Sequence, residues 1–391
     1  MPWKLSKKEE QRLELVRLMM AGRIAVKELC QRFGISRQTA YKWRKLYRSG
    51  RLESLQDRSR RPQRAARKTK PLWLRRLRRW RERHPSWGGR KLRHQMIERF
   101  GHSGAPSVAT MTRWLKRWGL SRGRIRRRRG PTLKRPLARA PKACHDVWTV
   151  DFKGWFYTGD GTRVEPLTVR DLHSRYGLRV ALLRTQSIAE TQPEFARLFE
   201  RHGRPKCIRC DNGRPFGAGG NSGLTRLSAW WVKLGIEVDF IRPGRPADNG
   251  AHEQFHRVYK AEVAADPART MDEQQQRSDR WLRVYNEKRP HEALGMKKPA
   301  QVFEKNRRKM RAKLEPWTYP AGWERRRVKR NGEIRWRGTA RYVGEAFEGD
   351  DVGLKPSKNG NWRVYFGPIL VGELREKETG SIRFVRYARA G

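Results

Sequence analysis

The sequence predicts a multidomain chain, with all-α modules at the front, an α/β core in the middle and a small β-barrel at the end. Three observations predict this. Charge is unevenly spread along the chain, the apolar periodicity passes from helical to mixed to short β-like runs, and isolated acids interrupt the apolar elements of the middle third. At 391 residues the chain exceeds the usual size of one domain.

Lys and Arg number 92 against 39 Asp and Glu, a net charge of +53 that a folded protein tolerates best beside a polyanion. Residues 1–143 hold 44 basic and 8 acidic side chains (+36), residues 144–300 hold 26 and 20 (+6), and residues 301–391 hold 22 and 11 (+11). The front therefore reads as nucleic-acid-binding. The balanced middle and the 16 Trp argue against a ribosomal or histone-like binder. Four cysteines are too few for a disulfide scaffold, no apolar run approaches the roughly 18 residues of a membrane span, and the start lacks the apolar stretch of a signal peptide. A reducing cytoplasm is the expected setting.

Residues 6–20 carry Leu13, Val16 and Met20 at helical spacing, and residues 26–33 form a second helical stretch. Gly34 supplies a turn, Ser36 is a good N-cap, and Ala40, Trp43 and Leu46 mark the inner face of the next helix. This is the helix-turn-helix pattern, whose second helix enters the major groove, so Arg37, Gln38 and Lys42 are candidate DNA contacts. The arrangement repeats over 71–83, 89–100 and 107–118. There Ser107 is the N-cap, Val108, Met111 and Leu115 share one face, and Thr110 and Arg113 are candidate contacts. Between Ser121 and Lys142 lie ten basic residues, including Arg126, Arg127, Arg128 and Arg129 in a row, with three prolines and no acid. Such a tether meets phosphates without a fold. The expected domains are two helix-turn-helix units at 1–52 and 70–120, a basic linker at 121–143, a core at 144–312 and a barrel at 313–391.

In the middle third, 147–152 read as an apolar strand interrupted by one acid, Asp151. Strands at 164–169 and 177–183, a helix at 188–202 and a strand at 207–209 ending on Asp211-Asn212-Gly213 follow. A helix at 225–234, a strand at 238–241 and a helix opening near Asp248 and carrying Glu253 complete the pattern. That order, with its three acids, matches a ribonuclease-H-like fold.

The motifs Trp148-Thr149-Val150-Asp151-Phe152-Lys153-Gly154, Arg209-Cys210-Asp211-Asn212-Gly213 and Asn249-Gly250-Ala251-His252-Glu253-Gln254-Phe255-His256-Arg257 resemble the three acidic motifs of bacterial insertion-sequence transposases of the retroviral-integrase-like DDE superfamily. The stretch 223–235 looks like one subgroup of them. Asp211 and Glu253 are separated by 41 residues, more than in the best-known members, and the surplus falls in the glycine-rich segment 217–223, read as a surface excursion.

The resemblance implies an enzyme that cuts the 3′ end of a mobile element and joins the freed hydroxyl to a target. Its catalytic and metal-binding residues would be Asp151, Asp211 and Glu253. Two Mg²⁺ or Mn²⁺ ions roughly 3.5 to 4 Å apart suit hard carboxylate ligands, with Asp151 bridging both and the other two acids holding one each. Arg257 and Lys260 follow Glu253 on its helix and are expected on phosphate beside the scissile bond. The implied partner is double-stranded DNA, both element ends and target, bound by a homo-oligomer at the bacterial nucleoid, with no membrane partner.

Other readings compete. The chain could be a DNA-binding regulator on a retired scaffold, or a nuclease that cuts without joining. His252-Glu253-Gln254-Phe255-His256 also fits the zinc metalloprotease pattern, yet lacks a third ligand and leaves the charge unexplained. Cys207 and Cys210 are expected as thiols buried in a strand, and Asp146, Asp160 and Asp171 as solvated or capping acids. After helical stretches at 281–285 and 299–310, residues 333–336, 351–354, 362–366 and 369–374 are β-like and Asn359-Gly360 signals a hairpin. A small barrel follows from this spacing, and the resemblance gives it a DNA-binding or assembly role.

Overall fold

Ser36 caps the helix that the sequence places after it: its side chain accepts the Thr39 N–H at 3.2 Å, while Gly34 takes the left-handed φ of 61° that closes the preceding turn. The computed structural model describes residues 8–47, 50–57, 69–121, 139–218, 223–242, 246–306, 308–310, 314–357 and 360–385. Two units, Met1–Lys68 and Thr69–Gly391, are each described by themselves.

In the first unit, α1 (Lys8–Ala21), α2 (Val26–Phe33) and α3 (Arg37–Leu46) bury Leu15, Met19, Leu29, Cys30 and Ala40. Val16 is buried as expected, but Leu13 is half-buried and Met20 is 66% exposed. The inward face of α1 is set by Arg12, which lies 3.9 Å over the Trp43 ring and donates to the Leu55 carbonyl at 2.7 Å. That turns positions 15 and 19 inward and leaves 20 outside.

The second unit opens with α4 (Pro71–Arg83), α5 (Gly89–Phe100) and α6 (Val108–Arg117), packed around Trp73, Leu77, Trp87, Leu92, Met96, Met111 and Leu115. Ser107 caps α6 by accepting the Thr110 N–H at 3.2 Å. Of the basic tether, Arg126, Arg127, Arg128 and Arg129 lie outside the described residues.

The core strands are β1 (Val147–Phe152), β2 (Phe156–Tyr157), β3 (Arg163–Asp171), β4 (Gly177–Leu183), β5 (Cys207–Cys210) and β6 (Glu237–Phe240). They pair in the order β4-β3-β1-β5-β6, antiparallel across β4-β3-β1 and parallel across β1-β5-β6, with β2 a short hairpin partner of β3. The helices are α7 (Ile188–His202), α8 (Arg226–Lys233), α9 (Gly250–Tyr259), α10 (Met271–Glu287) and α11 (Pro299–Val302). Strand alternation divides β1 in two. Trp148, Val150 and Phe152 face the apolar layer, where Trp148 meets Phe199 of α7 at 5.8 Å. Thr149 and Asp151 point the other way, toward α9.

Two expectations change here. The helix read over 299–310 stops at Val302, because Phe303 turns extended and stacks on Tyr176 at 4.1 Å. The C-terminal strands also do not form the expected barrel. They are β7 (Glu324–Arg327), β8 (Glu333–Trp336), β9 (Thr339–Tyr342), β10 (Asp351–Pro356), β11 (Trp362–Phe366), β12 (Ile369–Leu374), β13 (Gly380–Ser381) and β14 (Arg383–Phe384). Among the described residues they pair as a five-stranded sheet, β14-β12-β11-β10-β7, and a three-stranded sheet, β13-β9-β8, with no pairing that closes a barrel. Closure is not needed to cover the apolar faces, since Val352, Leu354, Val364 and Phe366 belong to the same continuous core as Trp148 and Trp231. Lys233 of α8 reinforces this join through an ion pair to Asp350 at 2.6 Å.

Candidate active site

Asp151 sits opposite Thr168 in the antiparallel β1-β3 ladder, and in such a pair both side chains leave the sheet on one face. Parallel pairing of β1 with β5 matches Thr149 to Arg209, so the next same-face step along each strand reaches Asp151 and Asp211. Burial, and next the charge of Asp211, push the Asp151 carboxyl up to about 7, with Glu253 adding to the effect. Burial also raises Asp211, opposed by the Gly213 N–H that donates to it. A side chain at position 213 would bring its Cβ to 3.1 Å from Asp211 Oδ2, which explains the glycine after Asn212. Asp211 Oδ1 is buried with no hydrogen-bond partner. Glu253 is exposed on α9, in the turn after the short 3-10 segment Pro246–Asn249.

Beneath the acids lies a layer of neutral hydrogen bonds. The Thr168 hydroxyl donates to the Asp151 carbonyl at 2.9 Å and meets Nε2 of both His252 (2.6 Å) and His256 (2.7 Å). A hydroxyl has one proton and two lone pairs, so both rings present Nε2–H to it. His252 Nδ1 then accepts from the Thr149 hydroxyl at 2.8 Å, and unprotonated His256 Nδ1 faces Asp151 Oδ2 at 3.7 Å. Burial holds His256 down at about 3 and His252 well below the usual histidine range. Both Nε2 atoms of the protease-like pattern are thus committed to Thr168. Among the described residues no group of three His, Cys, Asp or Glu side chains could hold a metal ion together.

The remaining acids are structural caps. Asp171 accepts from His145 N and Ser174 N, Asp146 accepts from Ala143 N and pairs with Lys206, and Asp160 accepts from Thr158 and Thr162. Cys207 and Cys210 are fully buried thiols in β5.

Lys153, which the sequence reading did not single out, joins the site. Burial lowers its ammonium, and Lys260 lowers it further while Asp151 works the other way. The signal was present in the strand period, since position 153 lies two residues from Asp151. Lys260 comes to the acids in this way, but Arg257 does not accompany it. Arg257 lines a cleft between α9 and the second helix-turn-helix unit.

Comparison with known proteins bears on this geometry. Residues 234–299 match an integrase core domain, 11–63 a helix-turn-helix domain, 39–115 a homeodomain-like domain, and 324–380 the C-terminal domain of IS481 family transposases. The chain is similar to an insertion element IS407 uncharacterized 31.7 kDa protein of Burkholderia multivorans, 27% identical over 223 residues, 56% of this chain and 76% of that one. It is also similar to an insertion element IS476 uncharacterized 39.2 kDa protein of Xanthomonas euvesicatoria, 28% identical over 184 residues, 46% of this chain and 51% of that one. Together these matches support a bacterial insertion-sequence transposase of the DDE superfamily. Solved structures similar to this chain include the HTLV-2 integrase catalytic core domain in complex with magnesium, at 15% identity and a TM-score of 0.32, covering 42% of this chain and 99% of that one. Another is a simian T-cell lymphotropic virus intasome in complex with the PP2A regulatory subunit B56 gamma, at 14% identity and a TM-score of 0.38, covering 77% of this chain and 100% of that one.

The candidate DNA contacts of the chain are distributed over its two helix-turn-helix modules. Arg37, Gln38 and Lys42 are exposed on α3, with Lys42 lying 5.3 Å from the Trp43 ring. Arg113 is exposed on α6, whereas Thr110 is half-buried with its hydroxyl 3.1 Å from Ser107. No helix among the described residues is long and apolar enough to cross a membrane.

Proposed function

We propose that this transposase binds the ends of its mobile element, hydrolyses the phosphodiester at each 3′ end and joins the freed hydroxyl to target DNA, with Asp151, Asp211 and Glu253 as the catalytic residues. The observation that carries the reading is the placement of Asp151 and Asp211 one same-face step beyond the Thr149–Arg209 pair of neighbouring strands β1 and β5, with Glu253 on the adjoining α9; burial, and next the charge of Asp211, push the Asp151 carboxyl up to about 7. The donors are carboxylate oxygens, one of them buried without a partner on Asp211, which fits a hard divalent cation. Asp151, Asp211 and Glu253 are the residues that would hold such ions. Bound Mg²⁺ or Mn²⁺ would supply an activated water and charge stabilisation at the leaving oxygen.

The chain's own residues do the rest. Thr168, His252 and His256 hold the Asp151 backbone and α9 in register, and Lys153 and Lys260 offer cations to the phosphate next to the scissile bond. Residues 1–52 and 70–120 act as readers through Arg37, Gln38, Lys42, Thr110 and Arg113, the segment 121–143 tethers them to the core at 144–312, and residues 313–391 serve DNA binding or assembly. Two element ends cut and joined in concert call for a homo-oligomer on DNA, working in the cytoplasm at the nucleoid.

Incubation of the full chain with Mg²⁺ and the end DNA of its own element tests the proposal. Joined products support it; nicks alone indicate a nuclease, and binding alone a regulator.

A further inference from the structure

Between the second helix-turn-helix unit and the core lies a cleft of about 880 Å³. Six cationic side chains line it, Arg81, Lys91, Arg170, Arg175, Arg257 and Arg289, against one carboxylate, Glu292. That carboxylate is already engaged by Arg90 at 2.8 Å. Some of the cations have backbone work: Arg81 donates to the Leu120 and Trp87 carbonyls, and Arg170 to the Ala251 carbonyl at the start of α9. Lys91, Arg175 and Arg257 make no side-chain hydrogen bond or ion pair among the described residues. Arg170 is 3% exposed, and its Nε is buried with no partner.

We propose that this cleft binds the phosphodiester backbone of DNA, clamping a strand between the second reader and the helix that carries Glu253. The inference deepens the transposase reading and rests on it for the identity of the DNA, but not for the chemistry of the cleft. Like charges gathered in a half-enclosed space repel, and burial followed by Arg289 lowers the Lys91 ammonium to about 8. The contacts that join the reader to the core neutralise only part of this charge: Glu262 accepts the Ser86 N–H at 3.3 Å, lies 3.7 Å from Arg289 and also attracts Lys91. Lys298 pairs with Glu98 at 2.7 Å and Arg289 donates to the Ser86 hydroxyl at 2.7 Å, outside the Lys91, Arg175 and Arg257 group. Several cations spread over such a volume suit a run of phosphates better than one small anion. Gln254 and Arg257 place the cleft on α9 one and four residues beyond Glu253, so a strand held here is tied to the catalytic helix.

The test uses the full chain carrying Lys91→Gln with Arg175→Asn; asparagine tolerates the φ of 63° at position 175. Binding of a short duplex is measured by fluorescence anisotropy across a salt series, and melting temperature is measured without DNA. The expected result is a binding slope against log salt shallower by about 1.8, from about 0.9 per lost phosphate contact, with a melting temperature equal to or above that of the unaltered protein because repulsion is relieved. Arg257→Gln, a second variant, should lower the slope by about 0.9. In the unaltered protein, duplex should raise the melting temperature more than the same concentration of inorganic phosphate. An unchanged slope in both variants overturns the proposal, as does equal stabilisation by inorganic phosphate, which marks a free-phosphate site. A shallower slope in a protein that never cuts element ends sinks the transposase reading and leaves the cleft standing.

Discussion

The Thr168 hydroxyl holds the Asp151 carbonyl at 2.9 Å while both histidines of α9 donate to that same hydroxyl. One threonine thus couples the strand that carries the first acid to the helix that carries the third. Thr168→Val keeps the shape and removes every one of these bonds. Supporting residues around a metal site typically matter by about 10 to 100-fold, so strand cleavage should fall by that order with duplex affinity unchanged, and Thr168→Ser should restore most of it. Cleavage rates and anisotropy on the three proteins decide it.

A second expectation concerns pH. The Asp151 carboxyl is raised to about 7 in the folded chain, against an unfolded value near 4. Between those values the folded state binds more protons than the unfolded state, so metal-free stability falls as pH rises from about 4 to about 7. Asp151→Asn abolishes this dependence and should raise the metal-free melting temperature at pH 8 while changing little at pH 4. The same linkage makes Mg²⁺ stabilise the unaltered protein more at pH 8 than at pH 6. Melting curves with chelator and with Mg²⁺ at the three pH values check both statements.

The third expectation is about the strand that delivers Asp211. Arg209, two residues before it, pairs with Asp239 at 2.7 Å across the β5-β6 ladder, with side-chain exposures of 1% and 4%. Removing one member of a buried pair costs about 3 to 5 kcal/mol, whereas replacing both by apolar residues is often near neutral. Arg209→Met should therefore lower unfolding stability in urea by about that amount, and adding Asp239→Leu should recover most of it. Equal stability of the single variant and the unaltered chain would contradict the assignment.

Much of this was legible in the sequence, and the exceptions have physical causes. An acid inside an apolar strand is costly unless it has work to do, which is why Asp151 stood out at once. The caps at Ser36 and Ser107 are local and were equally plain. The Thr168 layer was not legible, because its partners lie 84 and 88 residues away and meet only when β3 packs on α9. The basic cleft has the same origin, since α5, the β3-β4 turn and α9 each contribute one of Lys91, Arg175 and Arg257. The helix over 299–310 failed for a tertiary reason, the pull of Tyr176 on Phe303. Strands β7 and β9 escaped notice because Glu324-Arg325-Arg326-Arg327 and Thr339-Ala340-Arg341-Tyr342 carry little apolar alternation.

A fourth expectation follows from the charge. Residues 1–143 hold +36 of the +53, and α3 exposes Arg37, Gln38 and Lys42. Lys42→Ala should weaken binding of all duplexes alike and reduce the salt slope by about 1, whereas Gln38→Ala should leave the slope and relax preference among sequences. Competition binding with a randomised duplex pool at two salt concentrations separates the two effects.

The central claim is that Asp151, Asp211 and Glu253 together perform the chemistry, and single amide substitutions test it most directly. Asp151→Asn, Asp211→Asn and Glu253→Gln keep nearly the same shape but lose the negative charge that holds a divalent ion. Each variant is assayed for end binding, end cleavage and strand joining with Mg²⁺ and with Mn²⁺, beside Asp146→Asn and His252→Ala as controls. The account predicts that all three amide variants bind element ends like the unaltered protein and neither cut nor join, and that Asp146→Asn stays active. Retained cleavage and joining by Asp211→Asn, together with their loss in His252→Ala, would contradict it.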